Sequence, residues 1–277
     1  RGQPGLVLQA TLRSDDRDIA TARITTGHDF SPTLVLDIPD TEEARLWSPD
    51  SPHLYDIVIR LGELDEVQSY AGLRSVATHG KAVLLNGQSV FQRLVLDQGY
   101  YPDGIMTAPD DAALERDIEL SLAAGFNGAR LHQKVFEERF LYHADRLGYL
   151  VWGEVGDWGC RGFTSPAREQ QQPGPDYITQ WLEVMHRDYS HPSIIGWCPL
   201  NETFQPISDR VTQLDDVTRG MYLATKAMDA TRPVLDASGY SHRVPESDIY
   251  DSHDYTQDID TFREHHAAMA QENPYIN

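Results

Sequence analysis

The chain has 277 residues, enough for more than one domain with a sizeable core, and its 40% hydrophobic and 24% charged composition is that of an ordinary globular protein. A formal net charge of −20 argues against a nucleic-acid binder, which needs basic patches to follow phosphates. No apolar run approaches the roughly 18 residues of a membrane span, so a membrane partner is not expected either.

Cys160 and Cys198 lack metal-ligand spacing and are too few for a disulfide scaffold, so they read as free thiols, as in a reducing cytoplasm. The opening Arg1-Gly2-Gln3-Pro4-Gly5 lacks the charged-then-apolar layout of a secretory signal.

Residues 1–76 read as strands. Leu6-Val7-Leu8, Leu34-Val35-Leu36 and Tyr55 to Leu61 are short β-rich runs, and the last alternates, with Asp56 and Arg60 opposite Ile57 and Ile59. Turn residues such as Ser48-Pro49-Asp50-Ser51-Pro52 lie between them, at spacings typical of a β-sandwich.

From residue 77 onward the rhythm changes to alternating strands and helices. Asn86-Gly87 marks a hairpin between Val83-Leu85 and Val90-Phe91. Leu94-Val95-Leu96 reads as a strand, followed by a helix that opens at Pro109-Asp110-Asp111, buries Leu114 and Ile118, and ends at Gly125. Asn127 to Leu131 is the next strand, then a helix with Phe136, Phe140, Ala144 and Leu147 on one face, then strand Tyr149 to Trp152.

After a polar loop over 161–175, Ile178, Trp181, Leu182, Met185 and Tyr189 fall at helical spacing, and Ile194 to Trp197 leads to Asn201-Glu202. A helix through Leu214, Val217, Met221, Ala224 and Met228, strands at Val234-Leu235 and Ile249-Tyr250, and a helix around Phe262 complete the series. Such βα alternation is the pattern of a parallel sheet or a (β/α)₈ barrel. Pro274-Tyr275-Ile276 reads as the start of a seventh strand, so the expected fold is a β-sandwich followed by an incomplete α/β TIM barrel.

Active sites of such barrels lie at the carboxyl ends of the strands. The polar residues there are Asp97, Arg130 and His132, Glu154, Asn201 and Glu202, Asp236, then Asp251, His253 and Tyr255. Carboxylates, amide, imidazole and phenol converging on one face suit a polyhydroxylated, carbohydrate substrate. Trp152, Trp158 and Trp197 offer apolar surface for a sugar ring, although packing is the simpler reading of Trp152 and Trp197.

His191-Pro192-Ser193-Ile194-Ile195-Gly196-Trp197 followed by Asn201-Glu202 resembles the acid/base signature of glycoside hydrolase family 2. Leu46-Trp47-Ser48-Pro49 with Pro52-His53-Leu54-Tyr55 and Gly72-Leu73-Arg74 resembles the end of that family's immunoglobulin-like domain. Leu84-Leu85-Asn86-Gly87, Gly125-Phe126-Asn127 with Arg130, and Ala144-Asp145-Arg146-Leu147-Gly148 with Trp152 and Glu154 resemble its barrel, in the family's order.

The resemblance implies a retaining exo-β-glycosidase with Glu202 as general acid/base, an acid that must hold its proton near neutral pH. It also implies that Asn201 bonds the sugar 2-hydroxyl and that Tyr255 sits beside the nucleophile. Asp97, Arg130, His132 and His253 would line the pocket, while Glu154 reads equally as a sugar ligand or as an ion-pair partner of an arginine. The family's nucleophile, a glutamate ending strand seven, is expected beyond Asn277, and Glu272 lies too early to replace it. The resemblance thus points to a fragment of a longer enzyme, inactive alone, and its open barrel would favour homo-oligomers.

One departure is Leu131-His132-Gln133-Lys134, where many members have a Ser-His-Tyr type sequence; the histidine is displaced by one position. No cofactor is expected; for Mg²⁺, Glu154 and Glu202 are candidate ligands without a convincing third. An endo-acting polysaccharide hydrolase and a non-catalytic carbohydrate-binding barrel remain as alternatives.

Overall fold

The computed structural model describes residues 3–28, 31–39, 44–157, 175–202, 213–239 and 242–270. It begins with a hairpin in which β1 (Val7–Ser14) pairs antiparallel with β2 (Arg17–Thr25). Asp15 and Asp16 join them with φ of 50° and 63°, the left-handed pair that a two-residue turn between twisted strands requires. β3 (Tyr55–Leu61) pairs with the other edge of β1, and β4 (Asp65–Ala71) completes an antiparallel sheet of order β2-β1-β3-β4. Ala10 and Leu12 of β1 and Tyr55 and Val58 of β3 are buried.

This sheet belongs to the immunoglobulin-like domain that the sequence led us to expect. Two of its strands are not evident from the apolar pattern, and Leu34 to Leu36 forms no assigned strand. β5 (Val76–His79), β6 (Ala82–Leu85) and β7 (Gln88–Ser89) form a small meander that spans the expected boundary at residue 76, with Asn86-Gly87 as the predicted turn.

The barrel portion is a parallel sheet of four strands in chain order: β8 (Leu94–Asp97), β9 (Gly128–Leu131), β10 (Leu150–Glu154) and β11 (Ile194–Cys198). Between them run α1 (Asp111–Ala123), α2 (Glu138–Leu147) and α3 (Pro175–Asp188). Asp110 caps α1 by accepting from the Ala113 amide at 2.9 Å, which satisfies one of the helix's unpaired N–H groups. Leu114, Ile118, Phe140, Ala144, Trp181 and Met185 turn their apolar faces inward and are fully buried.

α4 (Gln213–Met228) follows, and residues 234–238 continue the parallel order beside β11. Only single bridges are made there, Trp197 with Val234 and Asn201 with Ser238, because the main-chain bonds between them skip across Pro199. Ile249-Tyr250 forms no strand either. The last helix, α5 (Ile259–His266), buries none of its residues. The expected seventh strand, Trp158, Cys160 and most of the polar loop lie outside the described residues.

Two features fix the sheet where it carries the site. Trp197 lies over Gly153 and Trp152 over Gly196, so closely that a Cβ on either glycine would stand 2.6 Å or 2.5 Å from the indole. Trp152 and Trp197 are thus core residues of opposite faces, not a sugar platform: Trp197 donates to Asp229 at 2.7 Å and Trp152 to Gln92 at 2.7 Å.

The second feature joins the domains. Trp47 donates its indole N–H to the Asp145 carbonyl (2.7 Å), and Arg74 donates to the carbonyls of Pro192 (3.1 Å) and Ile194 (2.8 Å) at the head of β11.

Candidate active site

At the carboxyl end of the sheet, Arg130 from β9 is the hub. Its Nε donates to Glu154 Oε2 at 2.6 Å, its Nη2 donates to Asn201 Oδ1, and its Nη1 lies 3.4 Å from His253 Nε2. A guanidinium cannot accept, so His253 Nε2 presents its lone pair to Arg130 and its proton resides on Nδ1. That Nδ1 lies 2.6 Å from Glu202 Oε1, and the Tyr255 hydroxyl donates to the same oxygen at 3.0 Å.

Glu202 follows β11 in a left-handed conformation, φ 49°, which turns its side chain out of the strand direction. Its amide donates to the Ser238 carbonyl at 2.9 Å, and Asn201 is pinned from behind, its amide donating to Asp157 Oδ2 at 2.9 Å. Gly239, with φ 99°, lies under the pair: a Cβ there would come 3.1 Å from His253 Nδ1 and 3.4 Å from Glu202 Cγ. Glu202 remains about one-third exposed, and Tyr255 stands at the surface.

Glu154 is an ion-pair partner rather than a surface ligand. Its side chain is wholly buried, and Gln133 N–H donates to Oε1 at 2.9 Å. Burial alone pushes its carboxyl up, but the His132 imidazole and the Arg130 guanidinium hold it below the usual carboxylate range. His132 Nδ1 is 3.4 Å from Glu154 Oε1, too long for a strong bond, so the Arg130 pair dominates. Asp97 stands apart at the end of β8: burial raises its carboxyl, and its Oδ1 accepts from the Gly99 amide at 2.8 Å.

Arg130, Glu154, Asn201, Glu202, His253 and Tyr255 are therefore one hydrogen-bonded network, with His132 at its edge and Asp97 outside it. Asp157, Ser238, Gly239 and His242 also support the network. Sequence reading gave them no place, since a serine or glycine after a two-residue strand carries no chemical signature. Among the described residues, no group of three His, Cys, Asp or Glu is arranged to hold a metal, and no helix is long and apolar enough to cross a membrane.

This constellation lies at the carboxyl end of a partial (β/α) barrel that follows an immunoglobulin-like domain. The model of glycosyl hydrolases family 2 matches residues 6–74, and the model of that family's TIM barrel domain matches residues 103–277. The chain belongs to glycosyl hydrolases family 2.

It is 29% identical over 214 residues to a β-galactosidase of Aeromonas hydrophila, covering 74% of this chain and 20% of that one. It is 28% identical to a β-glucuronidase of Paenibacillus borealis, covering 73% and 34%. Among solved structures, a glycosyl hydrolase family 2 member from Bacteroides cellulosilyticus is 29% identical, with a TM-score of 0.65 over 83% of this chain and 30% of that one. A family 2 β-galacturonidase from Eisenbergiella tayi bound to galacturonate is 26% identical, with a TM-score of 0.65, covering 83% and 40%. The chain spans between a fifth and about a third of the length of the two relatives compared.

Proposed function

We propose that the chain is the acid/base-bearing part of a retaining β-glycosidase that removes a terminal β-linked sugar, with Glu202 as general acid and then general base. The observation that carries this is the double hydrogen bond into one oxygen of Glu202, from His253 Nδ1 and the Tyr255 hydroxyl. Two donors on Oε1 leave Oε2 as the oxygen that bears the proton. The same two donors stabilise the carboxylate once that proton has gone.

In the first step Glu202 passes its proton to the glycosidic oxygen as the C1–O bond breaks, and a second carboxylate bonds to C1. In the second, water attacks C1, Glu202 takes the water's proton, and the bond to that carboxylate breaks. We assign the second carboxylate to a strand beyond residue 277, so the fragment alone does not turn over. To Asn201, whose Oδ1 accepts from Arg130, we assign the sugar 2-hydroxyl, as the family resemblance implies. The named relatives act on galactosides, glucuronides and galacturonides, and the reading therefore stays at the level of a β-glycoside.

The test is hydrolysis of a panel of nitrophenyl β-glycosides by the full-length protein beside its Glu202→Gln variant. Cleavage of one sugar, with a loss of about 10²- to 10⁴-fold in the variant, is the expected result. Absence of cleavage across the panel, or a variant equal to wild type, removes the reading in favour of a carbohydrate-binding barrel.

A further inference from the structure

Behind the acid/base lies a second cluster that does not face the sugar site directly. His242 stands between two carboxylates: Nδ1 is 2.5 Å from Asp236 Oδ1, and Nε2 is 2.9 Å from Asp251 Oδ1 and 2.8 Å from the Asp251 carbonyl. The Asp251 amide N–H also points at Nε2 as a longer, competing donor, at 3.1 Å. The oxygens lie nearer the two ring nitrogens than that amide does and call for a proton on each, which makes the ring an imidazolium, and the Tyr250 ring packs on it with centroids 4.1 Å apart.

Asp236 is fully buried and also accepts the amides of Arg243 (2.6 Å) and Val244 (2.9 Å). Asp251, held by His242, uses its remaining capacity on the segment beneath Glu202. Its Oδ2 accepts from the Ser238 hydroxyl at 2.6 Å and its Oδ1 from the Gly239 amide at 2.9 Å. Ser238 Oγ, its proton committed to Asp251, stands 3.2 Å from His253 Nε2, and Gly239 packs against the same ring, which holds Glu202.

We propose that His242 is a positioning residue for the acid/base: by clamping Asp236 to Asp251 it fixes Ser238 and Gly239, and through them the His253 ring that donates to Glu202. The proposal rests on Glu202 being the acid/base. A bare structural clamp would serve folding alone, whereas a positioning clamp alters the proton transfer to the leaving group. Stretching the His253–Glu202 bond by a few tenths of an ångström weakens the shorter of the two contacts that set which oxygen holds the proton.

Leaving-group dependence separates the two roles. kcat/KM reports the first bond cleavage, where an activated 2,4-dinitrophenyl leaving group needs no proton and an unsubstituted phenyl does. In the full-length protein, His242→Leu and Ser238→Ala are each expected to lower kcat/KM for the phenyl glycoside by about tenfold or more. The dinitrophenyl glycoside should stay within about threefold of wild type, and KM should be nearly unchanged.

Ser238→Ala removes a single small hydroxyl, so it carries the test if His242→Leu fails to fold. Glu202→Gln, run alongside, must show the same steep dependence more strongly. If it does and neither other variant does, the positioning role is overturned while the acid/base reading stands. If Glu202→Gln itself lacks the dependence, the acid/base reading falls first. An equal loss on both leaving groups in His242→Leu and Ser238→Ala also overturns the proposal, leaving His242 a clamp for folding only.

Discussion

Asp145 Oδ2 lies 2.6 Å from His191 Nδ1, and through this pair helix α2 grips the turn that launches strand β11. The other carboxylate oxygen accepts the Ser193 amide at 2.9 Å, and the Tyr70 hydroxyl of the immunoglobulin-like domain donates to Oδ2 at 2.8 Å. One buried carboxylate thus unites the N-terminal domain, α2 and the approach to Glu202.

Replacing Asp145 by alanine leaves the Ser193 amide without its acceptor, and the Tyr70 hydroxyl and His191 Nδ1, 3.1 Å apart, with only each other. A buried orphan costs about 1–3 kcal/mol, so Asp145→Ala, which also loses the bonds to Tyr70 and His191, is expected to destabilise the full-length protein by about 2 kcal/mol or more. Urea unfolding measures this. A loss below about 1 kcal/mol would show that the turn is held by Arg74 and by Arg232, which donates to the His191 (3.1 Å) and Ile194 (2.8 Å) carbonyls.

Arg130 compensates the charge on buried Glu154. Arg130→Ala strands that carboxylate in the core and is expected to cost about 3–5 kcal/mol. Adding Glu154→Gln should restore part of the loss, because a neutral amide tolerates burial better than an unpaired charge. Denaturant midpoints of the two single variants and the double variant give the coupling; additive losses would contradict the pairing.

Tyr255 is exposed, so Tyr255→Phe should leave folding stability within about 0.5 kcal/mol of wild type. Its hydroxyl supplies one of two donors to Glu202, a bond worth about 1 kcal/mol, and kcat/KM is expected to fall about five- to tenfold. An unchanged kcat/KM for a glycoside with a poor leaving group would remove Tyr255 from the acid/base site.

The stability contributed by His242 depends on pH. Burial lowers its basicity, but bonds to Asp236 and Asp251 outweigh that and raise its pKa from 6.5 to about 10. A group raised on folding contributes fully below its unfolded pKa and loses that contribution as pH climbs through the folded one. Asp236 and Asp251 are held low in turn, so their contributions fade only in acid. The stability gap between wild type and His242→Gln should therefore be widest near pH 6 and shrink toward pH 10 in chemical unfolding series. A gap that widens with alkalinity would mean a neutral ring.

Much of this could be read from the residues because local chemistry and tertiary packing agree. The spacing of Leu114 and Ile118 and the cap at Asp110 located α1, and the Ile194–Trp197 run located the strand that delivers Asn201 and Glu202. What stayed hidden obeys weaker local rules. The β1–β2 hairpin turns on Asp15-Asp16 rather than on an Asn-Gly pair, and β4 is a polar edge strand whose side chains are largely exposed. The segment at 234–238 is held by isolated bridges, so its apolar signal is only two residues long. At the site, the individual carboxylates and histidines stood out. That Arg130 joins four of the other candidates, directly or through His253, depends on folding three strands and a loop together.

The reciprocal seating of Trp152 on Gly196 and Trp197 on Gly153 has a further consequence for how this sequence can vary. Neither strand is free to drift by itself: any bulk gained at 153 or 196 has to be given up by the indole across the ladder. Substitutions at these four positions are therefore expected to survive only as matched pairs. In a library randomised there and selected for folding, a large residue on one strand should co-occur with a small one on its neighbour, as the record of a volume the two strands share.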